Sequence, residues 1–225
     1  MTSPGESSAP AAGPDARWVS LGPASVQVTR GVFPPQSDTL ALIEWCQELL
    51  RDRPRPVIAD LCTGSGVIAI ALAASHPSAR LYAVDISDEA VRLATINAAR
   101  LTGAMIVVRR GDAADPRVLA DIAGAADLVV ANPPYLPDRQ PAPPDLATWA
   151  VPAALHGGPD GLDVIRGVVA VAAVTLRSGG WLAVEHAAGQ QHRVIDIIGA
   201  AGVFDCATGH RDHAAIRRFV TAQRT

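Results

Sequence analysis

Residues 57–73, which read VIADLCTGSGVIAIALA, decide the fold predicted for this chain. A short apolar run ends in a turn that contains Gly64 and Gly66, and a second apolar run follows at once. This order is typical of a buried strand that turns sharply into a helix, because glycine has no Cβ to obstruct the turn. The turn lacks the third glycine of the dinucleotide fingerprint and the lysine of a phosphate-binding loop. It therefore indicates either a ligand site of another kind or simply a tight turn.

Strand and helix patterns alternate along the rest of the chain. Further strands are predicted at Arg80–Val84, Met105–Arg109, Ala126–Ala131 and Trp181–His186, with a final strand pair at Val203–Thr208 and Ala215–Thr221. Helices are predicted at Leu40–Leu50, Val67–Ala74, Asp88–Leu101, near Arg117–Ala123, and at Gly161–Leu176 and Gln190–Ala201. Because alternating strands and helices form right-handed crossovers, we predict an α/β fold with a mainly parallel sheet and helices on both faces.

The size and composition of the chain suit one domain. It has 225 residues, of which 49% are hydrophobic. Residues 1–16 are mostly Ser, Pro, Ala and Gly, and we predict a disordered tail there. Residues 17–225 are predicted to form a single domain, in which 17–56 supply a hairpin and a helix and 57–225 supply the catalytic sheet. Residues 132–159 are predicted to form a long loop.

Charge and cysteine content exclude several classes of protein. The net charge of −3 argues against a broad surface that neutralises phosphates. The three cysteines are widely spaced and form neither a disulfide framework nor a metal-binding pattern, so no metal site is predicted. The sequence has no apolar run of about 18 residues and no secretory signal, so we expect no membrane association and a cytoplasmic location.

Acidic residues follow the second and third strands of the predicted sheet. Asp85 ends one strand, just before Ile86, and can accept hydrogen bonds from both ribose hydroxyls of an adenosine ligand. Asp112, beside the small Ala113, can accept a hydrogen bond from an adenine amino group. The carboxyl ends of neighbouring parallel strands line one crevice. A glycine turn and two acids at three such ends therefore predict an adenosine-type ligand.

Asn132-Pro133-Pro134-Tyr135 directly follows the fourth strand and faces the same crevice. The prolines restrict the backbone and remove two N–H donors, so the Pro133 carbonyl can point at a ligand. Together with the Asn132 side-chain oxygen it offers two fixed acceptors, which suit the two hydrogens of a planar NH₂ group. Tyr135 can stack on such a planar target. Read alone, the same residues also fit a proline-rich turn.

Six stretches, taken in order, resemble the HemK-type protein-(glutamine-N5) methyltransferases. They are DLCTGSGVIAIALA (60–73), AVDIS (83–87), GDAAD (111–115), DLVVANPPYLP (127–137), ALHGGPDGLDVIRG (154–167) and SGGWLAVEHAAGQQ (178–191). The resemblance extends from about Val26 to Val220. It implies a Rossmann-like, seven-stranded class I methyltransferase fold with an antiparallel last strand, and S-adenosyl-L-methionine as the methyl donor.

The resemblance also implies the residues of the site. It implies a catalytic set made up of Asn132, Pro133, Pro134 and Tyr135. It implies that the cofactor is bound by Cys62, Thr63, Gly64, Ser65, Gly66, Asp85, Ile86, Asp112, Ala113 and Asn132. In that family the substrate is the glutamine of a Gly-Gly-Gln motif in peptide chain release factors, so a protein substrate is expected.

Two features depart from the family pattern. Members carry a helical N-terminal domain that helps to dock the release factor, whereas about 25 residues precede Val26 here. The acidic residue expected before Pro152 is Val151 in this chain. We therefore expect intact catalytic machinery, while substrate docking stays open and a shortened relative with another target is an alternative.

Two other functions stay open at this level. The same NH₂ site suits an adenine-N6 or guanine-N2 methyltransferase that acts on RNA or DNA, although the low basicity counts against it. A non-catalytic cofactor-binding protein is the second alternative, but neither the glycine turn nor Asn132 is lost. Glu185 is interpreted as a structural hydrogen-bonding residue rather than a base, and Arg217-Arg218 as a solvated basic pair.

Overall fold

The computed structural model describes residues 15–101 and 105–225. The predicted disordered tail, residues 1–16, lies almost entirely outside the described residues. Among the helices of the described ranges, none is long and apolar enough to cross a bilayer.

The described residues contain nine strands and six α-helices. The strands are β1 (Arg17–Leu21), β2 (Ala24–Val28), β3 (Val57–Leu61), β4 (Arg80–Asp85), β5 (Met105–Arg110), β6 (Ala126–Ala131), β7 (Leu176–Glu185), β8 (Phe204–Arg211) and β9 (Arg217–Arg224). The α-helices are α1 (Thr39–Leu50), α2 (Val67–Ser75), α3 (Asp88–Ala98), α4 (Pro144–Ala147), α5 (Asp163–Thr175) and α6 (Gln191–Ala200).

Seven of the strands form one sheet in the order β5-β4-β3-β6-β7-β9-β8. The strands from β5 to β7 are parallel to their neighbours, and β9 pairs antiparallel with both β7 and β8. This arrangement confirms the predicted fold class. Because β3 lies between β4 and β6, the chain direction across the sheet reverses at β3, which is where open α/β sheets bind ligands.

Helices cover both faces of the sheet. On one face, α1 and α2 pack against side chains such as Ile58 and Leu128. On the other face, α5 and α6 pack against the alternate strand residues, such as Ala59 and Val129. Buried strands carry apolar residues on both faces, so β3 and β6 read as nearly continuous apolar runs. The burial also accounts for Val67–Ala73, since every residue of that apolar stretch of α2 is buried.

Several predicted element boundaries are wrong. The final strand pair is Phe204–Arg211 and Arg217–Arg224, and not Val203–Thr208 and Ala215–Thr221. Leu176 was predicted to end a helix, but it begins β7. It pairs with Ala126 of β6, and the register of the two strands shifts after this pair. Within 117–123 only a short 3₁₀ turn forms, Ala120–Ile122. The predicted loop 132–159 contains α4 and a second 3₁₀ turn, Pro152–Ala154.

The β1–β2 hairpin is held against the sheet by a buried asparagine of α3. Asn97 Oδ1 accepts a hydrogen bond from the Gln27 backbone N–H, at 2.8 Å. Asn97 Nδ2 donates to the backbone carbonyls of Gln27 and Ser65, at 2.9 and 2.8 Å. One side chain therefore joins the hairpin, α3 and the glycine turn. This role of Asn97 is not visible in the sequence, because a single polar residue on a helix does not reveal its partners.

We predict that Asn97→Ala lowers the free energy of unfolding by about 2 to 4 kcal/mol, since it leaves several buried backbone groups without a partner. Thr95→Ala on the exposed face of the same helix is the control and should change stability by less than about 0.5 kcal/mol. Urea denaturation measures both variants. Equal stability of the two variants would contradict this account of Asn97.

Candidate active site

The carboxyl ends of β3, β4 and β6 border a cavity of about 380 Å³. This volume lies in the range of small-molecule binding sites. The cavity wall includes nearly all residues of the predicted site, namely Cys62, Thr63, Gly64, Ser65, Asp85, Ile86, Asp112, Ala113, Asn132, Pro133, Pro134 and Tyr135. Gly66 is the exception: it precedes α2 with a φ of 82° and packs against Ala94. Its contribution is to the turn rather than to the cavity wall.

A buried carboxylate supports the glycine turn from below. Asp60 Oδ2 accepts hydrogen bonds from the Thr63 hydroxyl at 2.6 Å and from the Ala69 backbone N–H at 3.1 Å. Burial raises the pKa of Asp60 to about 7, and the nearby Asp85 carboxylate adds to this. Within the turn, Cys62 has a φ of 58°, which is uncommon for a non-glycine residue. Asp60 joins the turn to the first turn of α2, and the sequence analysis did not assign it.

Asp85 is oriented by two backbone N–H groups. Its Oδ2 accepts a hydrogen bond from Gly64 at 2.9 Å, and its Oδ1 accepts one from Ser87 at 3.0 Å. Partial burial raises its pKa above the ordinary value, while those hydrogen bonds oppose the rise. The carboxylate therefore connects the glycine turn to the end of β4 and still lines the cavity.

The end of β5 completes this half of the cavity. Asp112 Oδ1 accepts a hydrogen bond from the Ala114 backbone N–H at 2.8 Å, which fixes a short turn. Ala113 is buried, whereas Ile86, which follows β4, keeps 58% of its surface exposed. Cys62 also lines the cavity, and burial holds the pKa of its thiol well above the ordinary value. It is therefore a neutral contact surface and not a nucleophile.

Hydrogen bonds fix the backbone that follows Asn132. The carbonyl of Tyr135 accepts a hydrogen bond from Gln190 Nε2, and that of Leu136 accepts one from the Gly157 N–H, each at 2.9 Å. Within the described residues the Pro133 carbonyl accepts none. Pro133 therefore lies in the cavity wall, and the carbonyls two and three residues after it are bound to protein.

The loop that contains His156 and Gly157 closes on this segment. A Cβ atom at Gly157 would overlap the Pro134 carbonyl oxygen, so only glycine allows this approach. The ring nitrogens of His156 lie 3.1 Å from the Pro152 carbonyl oxygen and 3.0 Å from that of Gln140. His156 therefore stabilises its own loop, and the loop in turn supports the residues after Asn132.

Arg218 holds Tyr135 from behind and is not the solvated residue that the sequence analysis predicted. Only 14% of its side chain is exposed, and it forms ion pairs with Asp38 at 3.0 Å and Asp212 at 3.1 Å. The Tyr135 hydroxyl also hydrogen-bonds to Arg218, and burial raises the pKa of Tyr135 above its usual range. The interpretation holds for the exposed Arg217 and is wrong for Arg218, because the charge partners of Arg218 include Asp38, which lies far away in the sequence.

Glu185 lies behind the cavity rather than in its wall. It is 1% exposed and accepts a hydrogen bond from the side chain of Thr39. Its other oxygen, Oε2, has no hydrogen-bond partner among the described residues. Burial raises the pKa of Glu185 to about 8, and the neighbouring Asp38 carboxylate adds to this. The interpretation of Glu185 as a structural residue agrees with these contacts.

Comparison with known proteins first gives the class. Residues 38–148 match the family model described as "Methyltransferase small domain". A ribosomal protein L11 methylase from Lactobacillus delbrueckii has a similar structure, with a TM-score of 0.59 and 20% identity over 86% of this chain and 82% of that chain. A T. thermophilus 16S rRNA methyltransferase, solved with AdoMet and guanosine, has a TM-score of 0.67 and 20% identity over 93% of this chain and 50% of that chain. At these identities the likeness concerns the fold alone. The family match, together with the sequence relatives below, makes this chain an S-adenosylmethionine-dependent methyltransferase.

Sequence relatives then give the family. The release factor glutamine methyltransferase of Mycolicibacterium smegmatis is 43% identical over 207 residues, which are 91% of this chain and 72% of the relative. The enzyme of the same name from Mycobacterium tuberculosis is 40% identical over 92% of this chain and 68% of the relative. The chain belongs to the release factor glutamine methyltransferase family.

The raised pKa of Glu185 predicts that stability falls as the pH rises. The unfolded chain releases this proton near pH 4.5, but the folded chain keeps it until about pH 8. Between these values the folded state binds more protons, so the free energy of unfolding decreases with increasing pH. Glu185→Gln cannot titrate, so its stability should decline less over the same range.

Urea denaturation at several pH values between about 5 and 8 measures the two slopes. Asp60, with a pKa of about 7, contributes a decline of the same sign in both proteins and is an internal reference. Parallel curves for the wild type and the variant would show that Glu185 does not hold its proton in the folded state.

Proposed function

We propose that this chain methylates the side-chain amide nitrogen of a glutamine in a protein, and that a peptide chain release factor is the substrate. The names of the relatives support the substrate class, and those relatives are matched over most of their length. The net charge of −3 favours a protein over a nucleic acid, whose phosphates require basic surface.

The observation that carries the proposal is a pair of acceptors in the cavity wall. The Asn132 amide donates through Nδ2 to Thr39 Oγ1 at 3.1 Å, which leaves Oδ1 as its acceptor. The Pro133 carbonyl has no partner among the described residues, and both residues line the cavity. Two acceptors can each take one hydrogen of an NH₂ group. An amide nitrogen is a poor nucleophile because its lone pair is delocalised, so fixing its orientation lowers the barrier.

The other half of the cavity fits the methyl donor. The turn at Cys62–Gly66 lets the backbone approach a ligand closely, and Asp85 and Asp112 offer carboxylates to ribose and adenine. When bound, S-adenosylmethionine supplies a methyl group on a positively charged sulfur. The Tyr135 ring, held by its hydroxyl on Arg218, offers a fixed flat surface beside the acceptors. These residues bind and orient both partners and keep water from the reacting groups.

We predict that Asn132→Ala abolishes methyl transfer, whereas the affinity for S-adenosylmethionine stays within a few-fold, because the substitution removes one of the two NH₂ acceptors. The assay uses labelled donor and a bacterial release factor, and calorimetry measures donor binding. Undiminished turnover by Asn132→Ala would end the assignment of this residue.

The substrate control is the same release factor with the glutamine of its Gly-Gly-Gln motif replaced by alanine. Label should enter the intact factor only. Separate pools of tRNA and rRNA test the nucleic-acid alternative in the same assay. Label in an RNA pool, with none in the release factor, would replace the proposed substrate.

We predict that Asp85→Ala weakens S-adenosylmethionine binding by roughly 1.5 to 3 kcal/mol, the range of a hydrogen bond to a charged group. Asp88→Ala is the matched control, since the Asp88 side chain is 72% exposed and lies three residues further along the chain, at the start of α3. Isothermal calorimetry compares both variants with the wild type. Equal donor affinity in Asp85→Ala and Asp88→Ala would refute the role of Asp85.

A further inference from the structure

Three buried or half-buried side chains connect the cavity to the interior of the sheet. Asn132 at the end of β6 donates from Nδ2 to the hydroxyl of Thr39, the first residue of α1, at 3.1 Å. The Thr39 side chain in turn hydrogen-bonds to Glu185, the last residue of β7. Thr39 and Glu185 are each 1% exposed, so water has little access to either hydrogen bond.

The chemistry of the hydroxyl group gives this series a direction. A threonine hydroxyl carries one hydrogen, which it donates to Glu185, so towards Asn132 it can only accept. A glutamate carboxyl group has an oxygen that accepts whether or not the other oxygen is protonated, and Oε2 has no partner within the described residues. When Glu185 is protonated, the direction is kept if the proton lies on the unpartnered Oε2, because the other oxygen then still accepts from Thr39.

This direction determines which end of the Asn132 amide faces the cavity. The oxygen and nitrogen ends of the amide have nearly the same shape, so hydrogen-bond partners alone distinguish the two orientations. With the nitrogen held by Thr39, the oxygen is the end left for a ligand. In the reversed orientation the amide would present an NH₂ donor to an NH₂ substrate, and one acceptor would be lost.

We propose that Thr39, held by Glu185, is a positioning residue that keeps Asn132 Oδ1 directed at the substrate NH₂ group. This inference rests on the proposed function, because it assigns a task to Asn132. It adds α1 to the elements that build the site. It also gives Glu185 a role through Thr39 that needs no contact with the reacting atoms.

Thr39→Val tests the proposal because valine matches threonine in shape and lacks the hydroxyl. We expect kcat to fall about tenfold or more, the scale of one hydrogen bond in the transition state, with the KM for each substrate within about threefold. Thr39→Ser restores the hydroxyl and should recover kcat to within about threefold of the wild type. Equal losses in the Val and Ser variants, or an unchanged kcat in a folded Thr39→Val protein, would overturn the proposal.

Thr175→Val is the matched control for the chemical change. Thr175 is the fully buried last residue of α5, next to the start of β7 at the opposite edge of the sheet, and its hydroxyl has no partner among the described residues. Thr175→Val should leave kcat unchanged. A comparable loss of kcat in this control would mean that the Thr39 effect is a general consequence of a changed core.

A second measurement does not require turnover. In an NMR experiment on the full chain, the side-chain NH₂ signals of Asn132 are identified by their absence from Asn132→Ala. We expect one of the two hydrogens to exchange with solvent more slowly than the other in the wild type, and this difference to vanish in Thr39→Val. Equal exchange of both hydrogens in the wild type would overturn the proposal.

Failure of this inference can be told apart from failure of the proposed function. Absence of label in the release factor with the wild-type chain removes the proposed function. Full activity of Asn132→Ala ends the role of Asn132 together with the task given to Thr39. Loss of activity in Asn132→Ala combined with full activity in Thr39→Val overturns only the role of Thr39.

Discussion

The site depends on the parallel pairing of β3 with β4 on one side and β6 on the other. Parallel strands run in the same direction, so their carboxyl ends meet at one edge of the sheet. The glycine turn after β3, Asp85 at the end of β4 and Asn132 after β6 are separated by about 20 or more residues in sequence, yet they border one cavity. The chain adds β4 and β5 on one side of β3 and the later strands on the other side. The connecting helices therefore lie on both faces of the sheet.

Rigidity in this site comes from polar groups that support the cavity from outside it. Asp60 supports the glycine turn, Gln190 holds the Tyr135 carbonyl, and Arg218 holds the Tyr135 hydroxyl. Each of these residues satisfies a group that would otherwise have to be satisfied by water or by the ligand. The groups that remain in the cavity wall are therefore pre-oriented, and binding needs little reorganisation.

The elements predicted from the sequence agree best with the structure where the local residue pattern alone defines the element. The β6 prediction, Ala126–Ala131, matches the structure at both ends because an apolar run bounded by turn residues defines a strand. Agreement fails where distant groups decide. Leu176 reads as part of a helix but begins β7, because its partner Ala126 lies 50 residues earlier. Arg218 reads as a surface residue but is enclosed by Asp38 and Asp212.

The sequence by itself determined the α/β class, the parallel sheet and the strand ends that carry the glycine turn, Asp85, Asp112 and Asn132. These follow from apolar periodicity and from short motifs, which are local properties of the chain. Only the tertiary structure decided which side chains support those residues. Thr39 contacts Asn132, Asn97 joins the hairpin to the glycine turn, and Arg218 contacts Tyr135. The physical reason is that a buried polar group must find a partner, and the partner is selected by packing in space rather than by distance along the chain.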